Sequence, residues 1–528
     1  MDGRRKYTLG VGLVGVVLTF VAAKWNLPGI GNDASSYIAI ADRIAAGGQL
    51  GYFLEPKLGL WPPGFPGVLA LPRWLFDVDP ATTALWINAW SLIPTAFAVK
   101  WLLERMVTDD RIIRVGIAIA VLGPATLSQS YMAQTETTFV LLVLVTFIAL
   151  IRFAEGSDRR WLWFGVAVLA QWAAFMDRYV GLVSIGAGAL WLVFERLSGA
   201  NLGTRFRNGV AFFVAACVVP GAWILRNTIV TDSQFGPRDT PLATFKGNAV
   251  DALTSLGQFI HGFSRYEPME GIGRLASIAL AGAVGVIALV LLRRALAART
   301  TSEGGASDVA AALVGHPAAL PLIYAAAHWL YMIYSASTIA FDPVNTRYLA
   351  PMFVPALIAG FALLDRALRA SDPGEPLARL ASIGLVVILV VQLGVGLVRV
   401  SASYWTDDAQ NYNSPEALDI RESPVLDQVP DDCDRLYSNF PELTYLAGFE
   451  AQRSPRKTKF ASPDVQRELE DLEAHLADGG NACLIWVDED RYETPQYQWQ
   501  LDELQERLDM EQLDSDDDVA VYRIAGLA

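Results

Sequence analysis

Histidine and cysteine are nearly absent from this chain: four and three among 528 residues. With no Cys/His cluster at metal-ligand spacing, a zinc module has no support. There is no P-loop or HExxH, which removes those nucleotide-binding and metalloprotease signatures. No internal repeat occurs. Charged residues are only 18% and the net charge is −14, so the basic footprint of a nucleic-acid binder is missing. What abounds is apolar: 53% of residues are hydrophobic and the mean hydropathy is +0.32. A soluble chain of this length would not be so apolar over its first 400 residues.

The charge is split. Residues 401–528 hold 30 Asp and Glu against 10 Lys and Arg, whereas residues 1–400 hold 25 against 31. Two regions follow: a membrane region, 1–400, and an acidic soluble domain, 401–528. The acidity reads first as a solvated surface, and second as a module for cations or a basic partner. Scarce lysine, common arginine and a crowd of Asp and Glu give a composition that resembles proteins of salt-loving archaea.

Eleven apolar runs are long enough to span a bilayer. They lie at about 8–27, 80–103, 112–130, 136–154, 161–176, 180–195, 209–229, 274–293, 317–339, 348–366 and 380–399. With Arg4, Arg5 and Lys6 inside, 19 of the Lys and Arg of residues 1–400 fall on the inner side and 12 on the outer. The positive-inside rule then puts the N-terminus in the cytoplasm and, after eleven crossings, the tail outside the cell. The first run also fits a signal peptide, with Val21-Ala22-Ala23 near its end; either way the segment after it is outside.

Two shorter stretches read as surface-lying helices. In 34–47, Tyr37, Ala41 and Ile44 share a face opposite Asp42 and Arg43. Residues 64–76 are apolar but too few to cross. The outer connection 230–272 reads as a long functional loop, and 300–316 as an inner linker. In the tail, strands are expected at 435–438, 482–487 and 519–524, with helices after Asn439 and over 466–476 and 497–508, so a small α/β domain. Cys433 and Cys483 either pair, if the tail is outside, or stay as buried thiols. Cys217 reads as a packing residue.

Chemistry-bearing residues gather at outer helix ends. The first outer segment reads Gly31-Asn32-Asp33-Ala34-Ser35-Ser36-Tyr37, followed by Trp61-Pro62-Pro63-Gly64-Phe65-Pro66. Asp33 stands at the mouth of the bundle, as a base or as the N-cap of helix 34–47. Glu136 opens a span, where an ionisable group is costly and functional by default, or faces water. Arg178 and Arg347 end and open spans; a guanidinium fork suits a phosphate, and the alternative is an anchor or a pair with Asp177 or Asp342. Arg226-Asn227 and Lys57 are weaker cations of the same kind. His261, with Glu267 and Glu270 nearby, reads as solvated loop, and His328 as a satisfied packing residue. A divalent cation has no support.

The Asp past helix one, the following Tyr and Ala, the Pro-Pro turn and the late Arg347-Tyr348-Leu349-Ala350-Pro351 run together resemble the GT-C glycosyltransferases. These include the protein mannosyltransferases and the lipid A aminoarabinose transferases. The resemblance covers roughly residues 7–360. Many relatives have Asp-Glu where this chain has Asp33-Ala34. The resemblance implies a mainly α, polytopic membrane protein of about eleven transmembrane helices with a small extracytoplasmic α/β domain. It implies transfer of one sugar, with inversion, from a polyprenyl (dolichyl) phosphate to a glycan or surface-protein acceptor. Asp33 would be the base, with Glu136 nearby; Arg347, Arg178, Tyr348 and Lys57 would meet the donor phosphate. Tyr404-Trp405-Thr406-Asp407-Asp408 only faintly resembles the Trp-Trp-Asp motif of oligosaccharyltransferases. A flippase for lipid-linked sugars and a membrane-anchored surface sensor are the other classes; the first would show paired repeats and mid-helix charges.

Overall fold

The computed structural model describes residues 3–156, 158–236, 241, 243–261, 273–282, 285, 315–339, 344–369, 376–405, 411–457, 466–488 and 498–528. The helices are α1 (Gly3–Ala22), α2 (Asn32–Ala45), α3 (Gly64–Phe76), α4 (Pro80–Met106), α5 (Asp110–Leu122), α6 (Pro124–Ser130), α7 (Glu136–Ala154), α8 (Arg160–Asp177), α9 (Gly181–Phe194), α10 (Leu202–Ala216), α11 (Val218–Thr231), α12 (Phe245–His261), α13 (Ala319–Thr338), α14 (Thr346–Arg369) and α15 (Pro376–Trp405). Helical residues at 273–282 mark the start of the apolar run 274–293, the rest of which lies largely outside the described residues, as does most of 300–316.

Each other apolar run coincides with a helix or a pair of helices. Among the described residues, four stretches are long and apolar enough to cross a membrane by length and composition: Gly3–Ala22, Asp110–Ser130, Glu136–Ala154 and Thr346–Arg369. Leu202–Ala216 and Val218–Thr231, bent by 41°, pass the same test as a pair, as a broken span or a re-entrant loop. The core between helices is apolar, with Phe139, Phe147, Phe175, Trp191, Phe212 and Tyr324 fully buried. The outside is apolar too: Trp161, Leu169, Leu225, Ile229 and Val390 are exposed. Water would not tolerate so much exposed hydrocarbon, whereas lipid tails would. Small residues set the helix spacing. A Cβ on Gly12 would sit 3.0 Å from the Ile93 backbone of α4, so α1 and α4 pack nearly backbone to backbone.

Residues 230–272 are not wholly loop, because α12 occupies Phe245–His261. Its buried residues include Asn248, Ala252, Thr254, Ser255 and Phe259. Three of these are polar, so the helical period is invisible to a count of apolar residues. Hydrogen bonds compensate: Asn248 Nδ2 donates to Ser337 Oγ at 3.0 Å, and Gln392 Nε2 to the Phe259 carbonyl at 2.6 Å.

The chain from 411 onward carries short helices α16 (Pro415–Arg421), α17 (Pro441–Leu446), α18 (Gln466–Ala477) and α19 (Leu501–Gln505). Among the described residues its strands are β1 (Arg435–Ser438), β2 (Gln452–Arg453), β3 (Ala482–Val487), β4 (Leu508–Ser515) and β5 (Val519–Leu527), in sheet order β2-β1-β3-β5-β4. β1 runs parallel to β2 and β3; β5 is antiparallel to β3 and β4. The sequence reading extends a helix to 508 and misses β4. That strand is a sheet edge whose exposed side is acidic, so it shows no clean alternation. Cys433, just before β1, and Cys483 of β3 form a disulfide, with Cα atoms 5.8 Å apart.

The sheet region shares an apolar cluster with helix α2: Ala34, Tyr37, Ile38 and Ala41 pack with Leu443, Ile485 and Val521. Polar contacts run along the same seam. Tyr445 donates to Asp42 Oδ2 at 3.0 Å, and Arg73 reaches Asp42 Oδ1 at 3.0 Å. Burial raises the Asp42 carboxyl above its usual range despite both partners. Tyr445→Phe removes one bond to a charged group, so a loss of about 1.5 kcal/mol is expected. Thermal unfolding in detergent, native against variant, reads it; an unchanged midpoint would show the seam does not need that bond.

Candidate active site

Two pieces of irregular backbone pair beside α4. Residue Gly29 pairs with the chain before α7: its N–H donates to the Tyr131 carbonyl at 2.9 Å, and Ala133 N–H to the Gly29 carbonyl at 2.8 Å. A Cβ on Gly29 would sit 2.2 Å from Met132 Sδ, so glycine allows the approach. Asn88 of α4 holds the second strand, donating to the carbonyls of Met132 at 2.9 Å and Gln134 at 2.8 Å. These contacts bring the start of α2 and the start of α7 side by side, with one carboxylate in the first turn of each.

Helix α2 begins at Asn32 with Gly31 as N-cap, and no side chain caps it. Asp33 is therefore not the cap. It lies inside the first turn, where the helix dipole favours an anion, and its Oδ2 takes Arg347 Nη2 as a partner. Arg347 Nε donates to Glu136 Oε1 at 2.9 Å. Arg178 Nη1 meets the same Oε1 at 2.5 Å and donates to Thr135 Oγ1 at 3.0 Å. Glu136 is 1% exposed, which sets aside a water-facing role. Two carboxylates and two guanidiniums thus form one neutral chain, Asp33–Arg347–Glu136–Arg178. Buried charges persist only when paired this closely.

Local structure aims each arginine. Arg347 sits at the start of α14, where Asn345 Oδ1 accepts its N–H at 3.0 Å. His328 Nε2 lies 2.9 Å from the Tyr348 carbonyl, and its Nδ1 lies 3.3 Å from Tyr324 Oη. Arg347 lies 5.6 Å from the centre of the Tyr348 ring. Arg178 is the residue after α8, and that corner is tightly packed, since a Cβ on Gly64 would come 2.3 Å from the Met176 carbonyl. Asp177 bonds Thr138 Oγ1 at 3.0 Å, and Arg178 turns to Glu136 instead.

The cluster has capacity left. Arg347 Nη1 donates to no described residue. Glu136 Oε2 is buried without a hydrogen-bond partner among the described residues, and Glu136 lines a narrow cleft with Thr95, Gln129, Thr137 and Ala350. Tyr37 packs edge-on against Trp61 at 5.5 Å and Phe65 at 5.8 Å, roofing the site with the Pro-Pro turn. Burial raises its phenol, so it stays protonated. Among the described residues, no group of three or more His, Cys, Asp or Glu is placed to hold a metal ion.

No protein-family model matches the sequence, and no curated protein matches it either. Solved structures do. ArnT from Cupriavidus metallidurans bound to undecaprenyl phosphate matches with TM-score 0.58 and 14% identity, over 98% of each chain. The archaeal oligosaccharyltransferase AglB from Archaeoglobus fulgidus, in complex with an inhibitory peptide and a dolichol-phosphate, matches with TM-score 0.55 and 12% identity. That match covers 100% of this chain and 75% of the other. The chain has the GT-C fold.

Within this GT-C fold, four of the residues singled out by sequence meet: Asp33, Glu136, Arg178 and Arg347. Tyr348 stands beside them. Lys57 does not join; it is exposed and forms no ion pair with a described residue. Arg226 and Asn227 serve the 58–59 backbone: Arg226 donates to the Leu58 carbonyl, and Asn227 Nδ2 to Tyr179 Oη at 2.9 Å, while Tyr179 bonds the Gly59 carbonyl at 2.6 Å. His261 ends α12; Glu267, Glu270, Asp342 and residues 406–408 lie outside the described residues. Sequence reasoning passed over Thr135, Thr137 and Gln129, because uncharged polar residues near a helix start carry no distinguishing signal.

Proposed function

We propose that this chain is an integral-membrane glycosyltransferase. It moves one sugar from a polyprenyl (dolichyl) phosphate to a glycan or surface-protein acceptor on the outer face of the membrane. The observation that carries the reading is the paired Asp33–Arg347–Glu136–Arg178 chain at the start of α2 and α7, centred on the buried Glu136, in a fold shared with ArnT bound to undecaprenyl phosphate and AglB with dolichol-phosphate.

The chemistry follows from the residue types. Asp33 takes the proton of the acceptor hydroxyl as that oxygen bonds to the anomeric carbon. The bond from that carbon to the phosphate oxygen breaks, and polyprenyl phosphate leaves with the electron pair. One displacement inverts the anomeric centre. The leaving phosphate gains charge, and Arg347 and Arg178 stabilise it. Arg347 reaches both the base and the phosphate. Glu136 holds the two guanidiniums in place, and its Oε2 accepts a donor-sugar hydroxyl. The sugar must come lipid-linked. Membranes carrying the chain should transfer label from a polyprenyl-phosphate sugar and not from a nucleotide sugar; transfer from the nucleotide sugar alone would overturn the reading.

The outer-face assignment carries its own expectation. The Lys and Arg asymmetry places residue 528 outside and residue 299, which lies outside the described residues, inside. Single cysteines at these positions should label with an impermeant reagent in intact cells at 528 only. Labelling at 299 alone would invert the topology.

A further inference from the structure

The tail grips the backbone that leads to Asp33. Tyr412 N–H donates to the Ile30 carbonyl at 2.7 Å, and Ile30 N–H donates back to Asn411 Oδ1 at 3.0 Å. Asn413 Nδ2 donates to the Pro28 carbonyl at 2.8 Å, and the Tyr412 hydroxyl donates to Asn32 Oδ1. The gripping segment is itself braced. Asn413 N–H donates to Asn411 Oδ1 at 3.1 Å, and Arg421 Nη1 donates to Asn413 Oδ1 at 2.7 Å and to the Tyr412 carbonyl at 3.1 Å. Tyr412 and Asn413 are buried.

The opposite edge of the same backbone is held by residues 131–133 through Gly29. Residues 28–32 are therefore the middle ply of three, with Glu136 downstream of one neighbour and the tail forming the other. Asp33 follows directly. The first turn of α2 has no side-chain cap of its own, so its placement depends on these flanking bonds.

We propose that Asn411 and Tyr412 are positioning residues for Asp33: residues more than 370 positions away in sequence set where the carboxylate stands relative to the bound donor. This rests on Asp33 being the base. Small misplacements of a reacting group cost rate far more than they cost binding. The phosphate ligands Arg347 and Arg178 are on α14 and after α8; although Arg347 pairs with Asp33, Glu136 holds both guanidiniums independently of the grip, so donor affinity is spared.

The test uses the full-length protein in detergent or vesicles, with a polyprenyl-phosphate sugar donor. Asn411→Ala removes the acceptor shared by Ile30 and Asn413. Its kcat should fall roughly 10-fold, with donor KM and the melting temperature near parental. Asn411→Asp keeps that acceptor and should restore kcat. Tyr412→Phe, which loses only the hydroxyl bond to Asn32, should fall between. An unchanged kcat in Asn411→Ala would overturn the proposal. So would a parallel loss of donor affinity and melting temperature, or an Asp variant as slow as the Ala variant. Asp33→Asn is measured alongside. If it turns over normally, the base reading fails and the proposal with it; if it is slow and Asn411→Ala is not, only the proposal fails.

Discussion

Arg347→Ala is expected to lower turnover by roughly 1000-fold, the upper scale for removing a fixed donor to developing charge, and to weaken donor binding as well. The guanidinium links both carboxylates of the cluster: Nη2 to Asp33 and Nε to Glu136 Oε1 at 2.9 Å. On the proposed reading, its remaining Nη1 would meet the donor phosphate. The phosphate is charged before and after transfer, so affinity and rate fall together. Glu136 keeps Arg178 at 2.5 Å and does not become an unpaired buried anion, so the protein should still reach the membrane. Arg347→Lys separates charge from shape. An ammonium cannot bridge two carboxylates and a phosphate with the planar fork, so the Lys variant should lie between parent and Ala. Donor titration at fixed acceptor checks both. Parental binding and turnover in Arg347→Ala would move the phosphate role elsewhere, with Arg178 next to examine.

Asp33→Asn should lower turnover by roughly 100-fold or more, the scale of a lost general base, with little change in folding or membrane level. Structure makes this substitution cleaner than sequence alone suggested. Asp33 does not cap α2, so the substitution costs the helix start only the small dipole effect of one first-turn charge. An Asn side-chain oxygen can still accept from Arg347 Nη2, whereas the amide cannot take the acceptor proton. Donor affinity should therefore stay near parental while kcat falls. Initial rates of sugar transfer at saturating donor decide it. Near-normal turnover would leave Asp33 as a partner for Arg347 and nothing more.

Much of the fold was legible because it is local. Apolar runs coincide with helices wherever residues are described, and β1, β3 and β5 lie where β-branched and aromatic residues cluster. The failures are local as well, and share one cause. Helix α12 turns Asn248 and Ser255 inward, and edge strand β4 carries Asp and Glu outward. In both, burial and polarity are decoupled by a hydrogen bond or by a sheet edge, so the apolar period disappears.

The sequence by itself determined the membrane-type bundle, the acidic tail and the short set of ionisable residues at helix ends. These depend on properties carried by neighbouring residues: run length, period and the cost of a charge near hydrocarbon. Only the tertiary structure decided partnership. Asp33 and Arg347 are 314 positions apart, Glu136 and Arg347 are 211 apart, and Asn411 meets Ile30 across 381. Sequence left Asp33 as base or cap, and Arg178 with Asp177 or with phosphate. Packing decided only the partners, Asp33 with Arg347 and Arg178 with Glu136, because an ion pair forms where helices cross, and no local pattern encodes which ends will meet.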